Sequence, residues 1–249
     1  MNDTWQEVVE GDQAWTVINA DCLAVMEKMS NGCVDLVVTD PPYAISVAGM
    51  TFDRLPGKGS RNLDYFAGDS DWKTMLQDVV LPAVKETIRI LKPTGSFYCW
   101  CSHRQLTHIS DLLEAAEYST RVIIWRKKCP PPPGSGWGSA VELCIYAYRH
   151  GRTWNGELGR LDNVIDADSY RHGQPGKVNH PTQKPPECFE QFVALSSNPG
   201  DIVFDPFLGS GTSGVVCRIA NRRFIGCEIH PEYAALARSR IEPPKLDWF

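Results

Sequence analysis

Residues 34–43 read Val34-Asp35-Leu36-Val37-Val38-Thr39-Asp40-Pro41-Pro42-Tyr43, an apolar run that stops at a carboxylate and two prolines. A short run rich in β-branched residues predicts a buried strand, and the prolines end it because they cannot donate hydrogen bonds to a sheet. Similar runs occur at residues 15–20, 96–101, 201–204 and 223–227, with helical patterns between them. Strands that alternate with helices predict an α/β fold with a doubly wound, mostly parallel sheet.

The composition is that of a folded domain. The chain has 249 residues, of which 43% are hydrophobic and 22% are charged, and we expect a single domain over residues 1–249. No apolar run approaches the roughly 20 residues of a membrane span. The first residues lack the features of a secretory signal, so we expect a cytoplasmic protein without a membrane partner. Nine cysteines without a Cys-x-x-Cys pair predict reduced core thiols rather than a metal site.

Charge is unevenly distributed along the chain. The net charge is −5, which argues against a protein that coats nucleic acid by charge alone. Residues 121–184 nevertheless hold ten Lys and Arg against five Asp and Glu. This basic stretch is compatible with a focused site for a polyanion and equally with an ordinary solvated surface.

The clearest chemistry lies in the four residues that follow the strand over 34–39. The Asp40 carboxylate and the rigidly held Pro41 carbonyl offer two acceptors for the two N–H bonds of a planar amine. The Tyr43 ring offers a face on which a nucleobase can stack. The alternative is an ordinary strand-ending turn. We predict that Asp40, Pro41, Pro42 and Tyr43 are catalytic residues that hold a nucleobase by its exocyclic NH₂ group.

A glycine-rich turn follows the strand over 201–204 and reads Asp205-Pro206-Phe207-Leu208-Gly209-Ser210-Gly211-Thr212. Such a turn between a strand and a helix lets a nucleotide-type cofactor approach the backbone. Glu228 lies seventeen residues after Gly211, at the end of the next strand, and suits ribose hydroxyls. The absence of Gly-Lys-Ser/Thr disfavours ATP. Residues 209–214 also contain Gly-x-Gly-x-x-Gly, so the turn alone leaves an NAD-dependent oxidoreductase open, but the Asp40 motif has no role in hydride transfer.

A third motif, His180-Pro181-Thr182-Gln183-Lys184-Pro185, opens the helix before the glycine-rich turn. Thr182 and Lys184 could bind a carboxylate at this helix start. For His180 or Lys184 alone, a solvated surface position is the simpler explanation.

Together these motifs resemble the S-adenosylmethionine-dependent DNA amino-methyltransferases. Their order resembles the circularly permuted β group, in which the catalytic half precedes the cofactor half. The resemblance spans residues 17–241, with Ala20 where the family has Gly, and rests on Asn19-Ala20-Asp21-Cys22, Asp40-Pro41-Pro42-Tyr43, His180-Pro181-Thr182-Gln183-Lys184-Pro185, Phe207-Leu208-Gly209-Ser210-Gly211 and Gly226-Cys227-Glu228. It implies a Rossmann-like methyltransferase fold, S-adenosylmethionine as cofactor and a base flipped out of double-stranded DNA.

The resemblance also implies which residues hold the cofactor. They are Asp21, Thr182, Lys184, Asp205, Phe207, Gly209, Gly211, Thr212 and Glu228. Thr182 and Lys184 would hold the carboxylate end of S-adenosylmethionine, and Asp205 would lie near its amino group. Glu228 would bind the ribose hydroxyls, and Asp21 would lie near the adenine.

In the implied mechanism, acceptors at Asp40 and Pro41 draw the amine nitrogen toward tetrahedral geometry and direct its lone pair at the sulfonium methyl. Asp rather than Ser at the first motif position resembles adenine-N6 enzymes, and cytosine-N4 methylation is the near alternative. Carbon-5 methylation is not indicated, because Pro is followed by Cys nowhere in the chain. An RNA methylase and a non-catalytic DNA-binding subunit are more distant alternatives, the latter because every catalytic motif is intact.

Contacts with DNA are expected from two segments. Residues 126–180 are predicted as a target-recognition insertion, and residues 44–71 as a loop that closes over the flipped base. The candidate phosphate-binding residues are Lys58, Arg61, Arg126, Lys127, Lys128, Arg149 and Arg152; a solvated loop is the alternative for this basic set. A homodimer and a cognate restriction nuclease are partners that the resemblance leaves open.

Overall fold

The computed structural model describes residues 4–43, 72–128, 130, 137–156, 161–170, 174, 176–180 and 182–242, and the structural statements below refer to these residues. Lys58 and Arg61, together with the predicted loop over 44–71, lie outside the described residues. Among the described helices, none combines the length and apolar character that crossing a membrane requires.

Helices and strands alternate along most of the chain. The helices are α1 (Thr4–Glu10), α2 (Cys22–Met26), α3 (Trp72–Met75), α4 (Leu81–Ile90), α5 (His103–Ala115), α6 (Glu187–Ser196), α7 (Thr212–Ile219) and α8 (Pro231–Ile241), and the π-helical turn Leu76–Val80 joins α3 to α4. The strands are β1 (Trp15–Ile18), β2 (Val34–Thr39), β3 (Leu91–Cys101), β4 (Ser119–Lys127), β5 (Val141–Tyr148), β6 (Val164–Ala167), β7 (Ile202–Asp205) and β8 (Arg223–Cys227).

The strands form one eight-stranded sheet in the order β1-β8-β7-β2-β3-β5-β4-β6. Five of the seven pairings are parallel, and the exceptions are those of β5 with β3 and with β4. The chain moves from β2 to β3 in one direction across the sheet and from β7 to β8 in the other. The order therefore reverses between β7 and β2, and open α/β sheets bind ligands beyond the strand ends at such a reversal.

Helices cover both faces of the sheet, which confirms the predicted doubly wound α/β fold. One apolar layer contains buried residues of α1, α2, α4 and α5, and the other contains buried residues of α6, α7 and α8. Because both faces are covered, β2 is a nearly continuous buried run rather than an alternating one, and only Asp35 is partly exposed. The eight described cysteines are unpaired thiols, and seven of them are buried.

Several elements differ from the sequence-based expectation. Helix α1 and strand β6 were not predicted, and β6 is a four-residue strand within a region that reads as irregular. Strand β3 begins at Leu91, five residues before the predicted start, because Gly95 and Pro93 hide its periodicity. Residues 126–180 contribute β5 and β6 to the sheet. Recognition of DNA by that region, its division as an insertion and the circular permutation remain predictions.

Candidate active site

The Asp40 turn and the glycine-rich turn meet where the strand order reverses. Thr39, the last residue of β2, donates a hydrogen bond from Oγ1 to Asp205 Oδ1 at 2.9 Å. The Asp205 carboxylate also accepts from the Phe207 backbone N–H at 3.0 Å and from Ser213 Oγ at 2.6 Å. Asp205 is 2% exposed, and burial raises its pKa to about 7. The carboxylate thus ties the ends of β2 and β7 to the start of α7.

Both oxygens of Asp40 have partners. Oδ1 accepts from the Tyr43 hydroxyl at 2.5 Å, and Oδ2 accepts from Lys184 Nζ at 2.7 Å. Burial raises the pKa of Asp40 above its ordinary value, while the Lys184 ammonium opposes that rise. The Asp40 carboxylate is therefore a preformed acceptor whose proton affinity depends on a neighbouring cation.

Lys184 connects Asp40 to a second carboxylate that the sequence did not reveal. Its Nζ lies 3.0 Å from Glu142 Oε2 and 3.0 Å from the Tyr43 hydroxyl oxygen. Glu142 also pairs with Lys127 at 2.9 Å. Burial alone would lower the pKa of Lys184, but Asp40 and Glu142 outweigh burial and raise it. These five side chains form a cluster of alternating charge in which Lys184 is buried and the others are partly buried. We call it the Asp40–Lys184 cluster (Asp40, Tyr43, Lys127, Glu142 and Lys184).

The prolines of the Asp40 turn are supported by the start of α5. Gln105 Nε2 donates to the Pro42 carbonyl oxygen at 3.0 Å. Gln105 Oε1 accepts from the backbone N–H of Ser102 at 3.0 Å, which completes the capping box of α5. Pro41 is buried and Pro42 half-buried. The turn is thus fixed from outside by a residue that lies 63 positions along the chain.

The glycine-rich turn is shaped by contacts that exclude side chains. Gly211 has φ +83°, and a Cβ there would lie 2.9 Å from Ala237 Cα. Gly209 has φ +53°, and a Cβ there would lie 3.0 Å from His180 Nε2. Burial lowers the pKa of His180 to about 4, so this imidazole is neutral near pH 7. Both glycines are therefore required by the local backbone and its neighbours.

Glu228 and Asp21 lie at the same edge of the sheet as Asp205. Glu228 follows β8 and accepts from the backbone N–H groups of Gly209 and His230, each at 2.8 Å. It is 8% exposed, and burial raises its pKa. Asn19 Nδ2 donates to the Glu228 carbonyl oxygen at 2.8 Å. Asp21 is exposed and caps α2 by accepting from the Leu23 backbone N–H. Their contacts with a cofactor remain predictions.

The segment before α6 joins the two turns. Thr212 Oγ1, in the glycine-rich turn, donates to the Lys184 carbonyl oxygen at 3.2 Å, whereas the Lys184 side chain reaches Asp40. Thr182 is exposed. The structure therefore directs the Lys184 ammonium to the Asp40 carboxylate. This differs from the expected pairing of Thr182 and Lys184 on one cofactor carboxylate.

The basic residues proposed to meet DNA separate into two groups. Arg126, Lys127 and Lys128 stand at the end of β4, on the sheet edge that carries Asp40. Arg149 and Arg152 follow β5, which is antiparallel to β3, and therefore lie at the opposite edge, roughly 24 Å away along the strand.

This placement separates Arg149 and Arg152 from the Asp40 edge, and their contact with DNA remains a prediction. Arg149 donates to the Ala116 carbonyl oxygen at 2.8 Å and lies over the Tyr118 ring. Arg152 stacks on the Tyr148 ring at 3.9 Å. The sequence placed these arginines with the others because a predicted strand does not reveal its direction.

The remaining basic residues differ in their availability. Arg126 pairs with Asp166 through two hydrogen bonds of 2.6 and 2.7 Å and is 62% exposed. Lys127 belongs to the Asp40–Lys184 cluster and is 11% exposed. Lys128 is exposed. Arg126 and Lys128 are thus the described residues of this set that a DNA backbone could reach from the Asp40 edge.

Comparisons with known proteins agree with the resemblance that the sequence motifs indicate. The family model for N6/N4 methylases, described as DNA methylase, matches residues 34–239. DNA adenine methyltransferase YhdJ of Escherichia coli (strain K12) is 30% identical over 262 residues, which cover 93% of this chain and 84% of YhdJ. Type II methyltransferase M.HinfI of Haemophilus influenzae is 28% identical, with 92% of this chain and 69% of that protein covered.

Solved structures share the fold. The M1.HpyAVI–SAM complex superposes with a TM-score of 0.70 at 24% identity and covers 92% of this chain and 100% of that one. The PvuII DNA methyltransferase (cytosine-N4-specific) superposes with a TM-score of 0.67 at 19% identity, covering 94% and 88%. The resemblance of the motifs to the S-adenosylmethionine-dependent DNA amino-methyltransferases is confirmed. The chain belongs to the N6/N4 DNA methylase family, whose members transfer a methyl group from S-adenosylmethionine to DNA.

Proposed function

We propose that this protein methylates the N6 amine of adenine in double-stranded DNA. The observation that carries the proposal is the hydrogen bond from Thr39 to Asp205, which joins the Asp40 turn to the glycine-rich turn. A base held at Asp40 and a methyl donor bound over the glycine-rich turn would therefore share one cleft. Because the amine lies inside the duplex, the base has to be flipped out to reach Asp40.

Asp40 would bind the amine through Oδ1. The Tyr43 hydroxyl occupies that oxygen at 2.5 Å, so an incoming amine N–H would replace the hydroxyl and release the ring to stack on the base. The second acceptor would be the Pro41 carbonyl. Two hydrogen bonds from the same nitrogen favour a tetrahedral arrangement with its lone pair directed away from Asp40. Positioning and electrostatics then supply the catalysis without a covalent enzyme intermediate.

The residues around the glycine-rich turn fit S-adenosylmethionine, which supplies an electrophilic methyl group on a sulfonium. Asp21 and Glu228 offer carboxylates beyond the ends of β1 and β8, suited to amine and hydroxyl groups. His180 Nδ1 is buried and has no hydrogen-bond partner among the described residues, as expected of a site that a polar ligand completes. We assign Phe207, Gly209, Gly211 and Thr212, with Thr182, to the methionine end.

We assign the DNA backbone to the edge of the sheet that carries Asp40. Lys128 and Arg126 are exposed there. The expectation for Lys58 and Arg61 remains a prediction. Contacts with phosphates would orient the duplex. We assign recognition of the DNA sequence to residues 126–180, and within this range to the segments that precede and follow β5 and β6.

Adenine is favoured over cytosine by the Asp at the first motif position and by the similarity to a DNA adenine methyltransferase. Cytosine-N4 methylation is the second candidate, since the family model covers both amines. The likeness to the cytosine-N4-specific PvuII enzyme is a likeness of fold at 19% identity.

The test is transfer of a labelled methyl group from S-adenosylmethionine to unmethylated duplex DNA, with RNA as a parallel substrate. Digestion of the product to nucleosides and mass spectrometry then identify the base. N6-methyl-2′-deoxyadenosine from DNA supports the proposal, N4-methyl-2′-deoxycytidine supports the second candidate, and label in RNA or no transfer at all contradicts both. Parallel assays with size measurement establish whether the active species is a homodimer, and the proposal does not require a partner nuclease.

A further inference from the structure

We propose that Lys184 is a positioning residue that holds Asp40 as an oriented, ionised acceptor, with Glu142 as its anchor. This inference rests on the proposed function, because it concerns the same carboxylate. It assigns Lys184 to the catalytic side of the cleft instead of the carboxylate end of the cofactor.

The contacts of Lys184 account for all three of its N–H groups. They point to Asp40 Oδ2 at 2.7 Å, Glu142 Oε2 at 3.0 Å and the Tyr43 hydroxyl at 3.0 Å. The side chain is 5% exposed, and its ammonium lies 5.3 Å from the centre of the Trp100 ring. An ammonium with this many partners in so little solvent has one well-defined position.

Glu142 holds the Lys184 ammonium in that position. Glu142 is the second residue of β5 and lies opposite Trp125 of β4, while the next residue, Leu143, lies opposite Cys101 of β3. The sheet therefore holds the backbone that carries this carboxylate. Lys127 of β4 holds its other oxygen at 2.9 Å. The sheet therefore positions Lys184 through Glu142, and Lys184 in turn positions Asp40.

The main chain of Lys184 reinforces this division of roles. Its carbonyl oxygen accepts from Thr212 Oγ1 at 3.2 Å in the glycine-rich turn, while its side chain extends to Asp40. One residue thereby sets the separation between the two turns. Breaking a buried ion pair from one side leaves an uncompensated charge, so loss of the ammonium acts directly on Asp40.

The charges that face Asp40 predict opposite effects of the two partners. The ionisable groups nearest to it are Lys184, Tyr43 and Glu142, with Asp205 across the cleft. Four buried thiols, Cys99, Cys101, Cys144 and Cys188, also face it, and burial raises the pKa of each. Lys184 lowers the pKa of Asp40, whereas Glu142 raises it.

The experiment measures single-turnover methyl transfer against pH, together with equilibrium binding of S-adenosylmethionine, so that product release does not hide the chemical step. In Lys184→Met we expect the transfer rate at neutral pH to fall by about 100-fold. We also expect the acidic limb of the rate profile to move up by about one pH unit or more. In Glu142→Gln the same limb should move down. Both variants should bind S-adenosylmethionine within about twofold of the unaltered protein.

Two further variants keep the test decisive. Lys92→Met removes a lysine paired with Asp35 at 2.7 Å, far from the cleft at the start of β3, and should leave the profile unchanged. Lys184→Met combined with Glu142→Gln removes one charge of each sign and serves as a second variant if Lys184→Met does not fold. Its acidic limb should move up by less than that of Lys184→Met, because Lys184 acts on Asp40 more strongly than Glu142 and in the opposite direction. Thermal melting reports folding for each variant. If Lys184→Met fails to fold, the downward shift in Glu142→Gln still decides.

Each failure has its own signature. No transfer by the unaltered protein overturns the proposed function. A second outcome is an active unaltered protein together with a Lys184→Met variant that binds S-adenosylmethionine more weakly and keeps its acidic limb unmoved. That result overturns the inference and assigns Lys184 to binding of the cofactor. Limbs that move in the same direction in Lys184→Met and Glu142→Gln also overturn it.

Discussion

Asp40 and Asp205 look equivalent in the sequence, since each ends a buried strand and precedes a proline, but the fold uses their carboxylates differently. Asp205 accepts three hydrogen bonds from neutral donors and ties three elements together. Asp40 accepts from a tyrosine hydroxyl, which a substrate amine could replace, and from a cation. A carboxylate surrounded by fixed neutral donors serves the architecture, whereas one whose partner can be exchanged is available to a substrate.

The sharpest test compares the two carboxylates by the same substitution. We expect Asp40→Asn to lower methyl transfer by about 10³-fold or more, because the amide cannot offer the same charged acceptor to the amine. Binding of S-adenosylmethionine should be retained. Asp205→Asn should lower transfer by less than Asp40→Asn does, because the amide oxygen can still accept from Thr39 and Phe207. Single-turnover assays with cofactor titrations measure both effects, and equal losses in the two variants would contradict the assigned difference.

The glycine-rich turn provides the next largest effect. Gly211→Ala should destabilise the fold and weaken S-adenosylmethionine binding, because its Cβ would meet Ala237 Cα at 2.9 Å in addition to the strain of φ +83°. Gly200→Ala is the matched control, since Gly200 has φ +86° and open space around it. It should show only the backbone strain of about 1–2 kcal/mol. Urea unfolding and cofactor titration compare the two, and equal destabilisation would show that the close contact is unimportant.

The pKa of Asp205 predicts a pH-dependent difference in stability. Its folded-state pKa is about 7 against an ordinary 3.8, so the folded chain binds more protons than the unfolded chain between those values. Stability of the native protein relative to Asp205→Asn should therefore be greatest near pH 4 and fall as pH rises to 7. The change should reach up to about 4 kcal/mol, since one pKa unit is worth about 1.4 kcal/mol. Urea unfolding at several pH values measures it, and a constant difference would refute the shift.

The smallest effect should come from cutting the link between the two turns. Thr39→Val removes the donor to Asp205 without changing shape, at a cost of about 1–3 kcal/mol in the free energy of unfolding. Thr87→Val removes a comparable buried hydroxyl, which donates to the Val84 carbonyl oxygen in α4. Both should lower the melting temperature, but only Thr39→Val should slow methyl transfer. A slower Thr87→Val would mean that general destabilisation explains the effect.

The sequence was informative where a local pattern and a topological rule agree. An acid after an apolar run marks the end of a strand, and parallel strands end at one edge, so Asp40, Asp205 and Glu228 could be placed together. The helix that Asp21 caps was predicted for the same local reason.

Contacts between residues that are distant in the sequence could not be predicted from it. Glu142 looks like one polar residue in an apolar strand, and its significance comes from Lys184, which is 42 positions later in the chain. The separation of Arg149 and Arg152 from the other basic residues could not be predicted either, because the pattern of a strand is the same in either direction. Both cases depend on the antiparallel setting of β5, which tertiary packing decides.

The hydrogen bond from Gln105 to the Pro42 carbonyl connects the proposed catalytic motif to a residue outside that motif. Gln105 is 1% exposed and also closes the capping box of α5 through Ser102, so a single amide serves both a helix start and the rim of the reaction cleft. Loss-of-function screens of this chain should therefore find inactivating substitutions in the first turn of α5, at Gln105. A search for inactivating substitutions that considered only the sequence motifs would miss them.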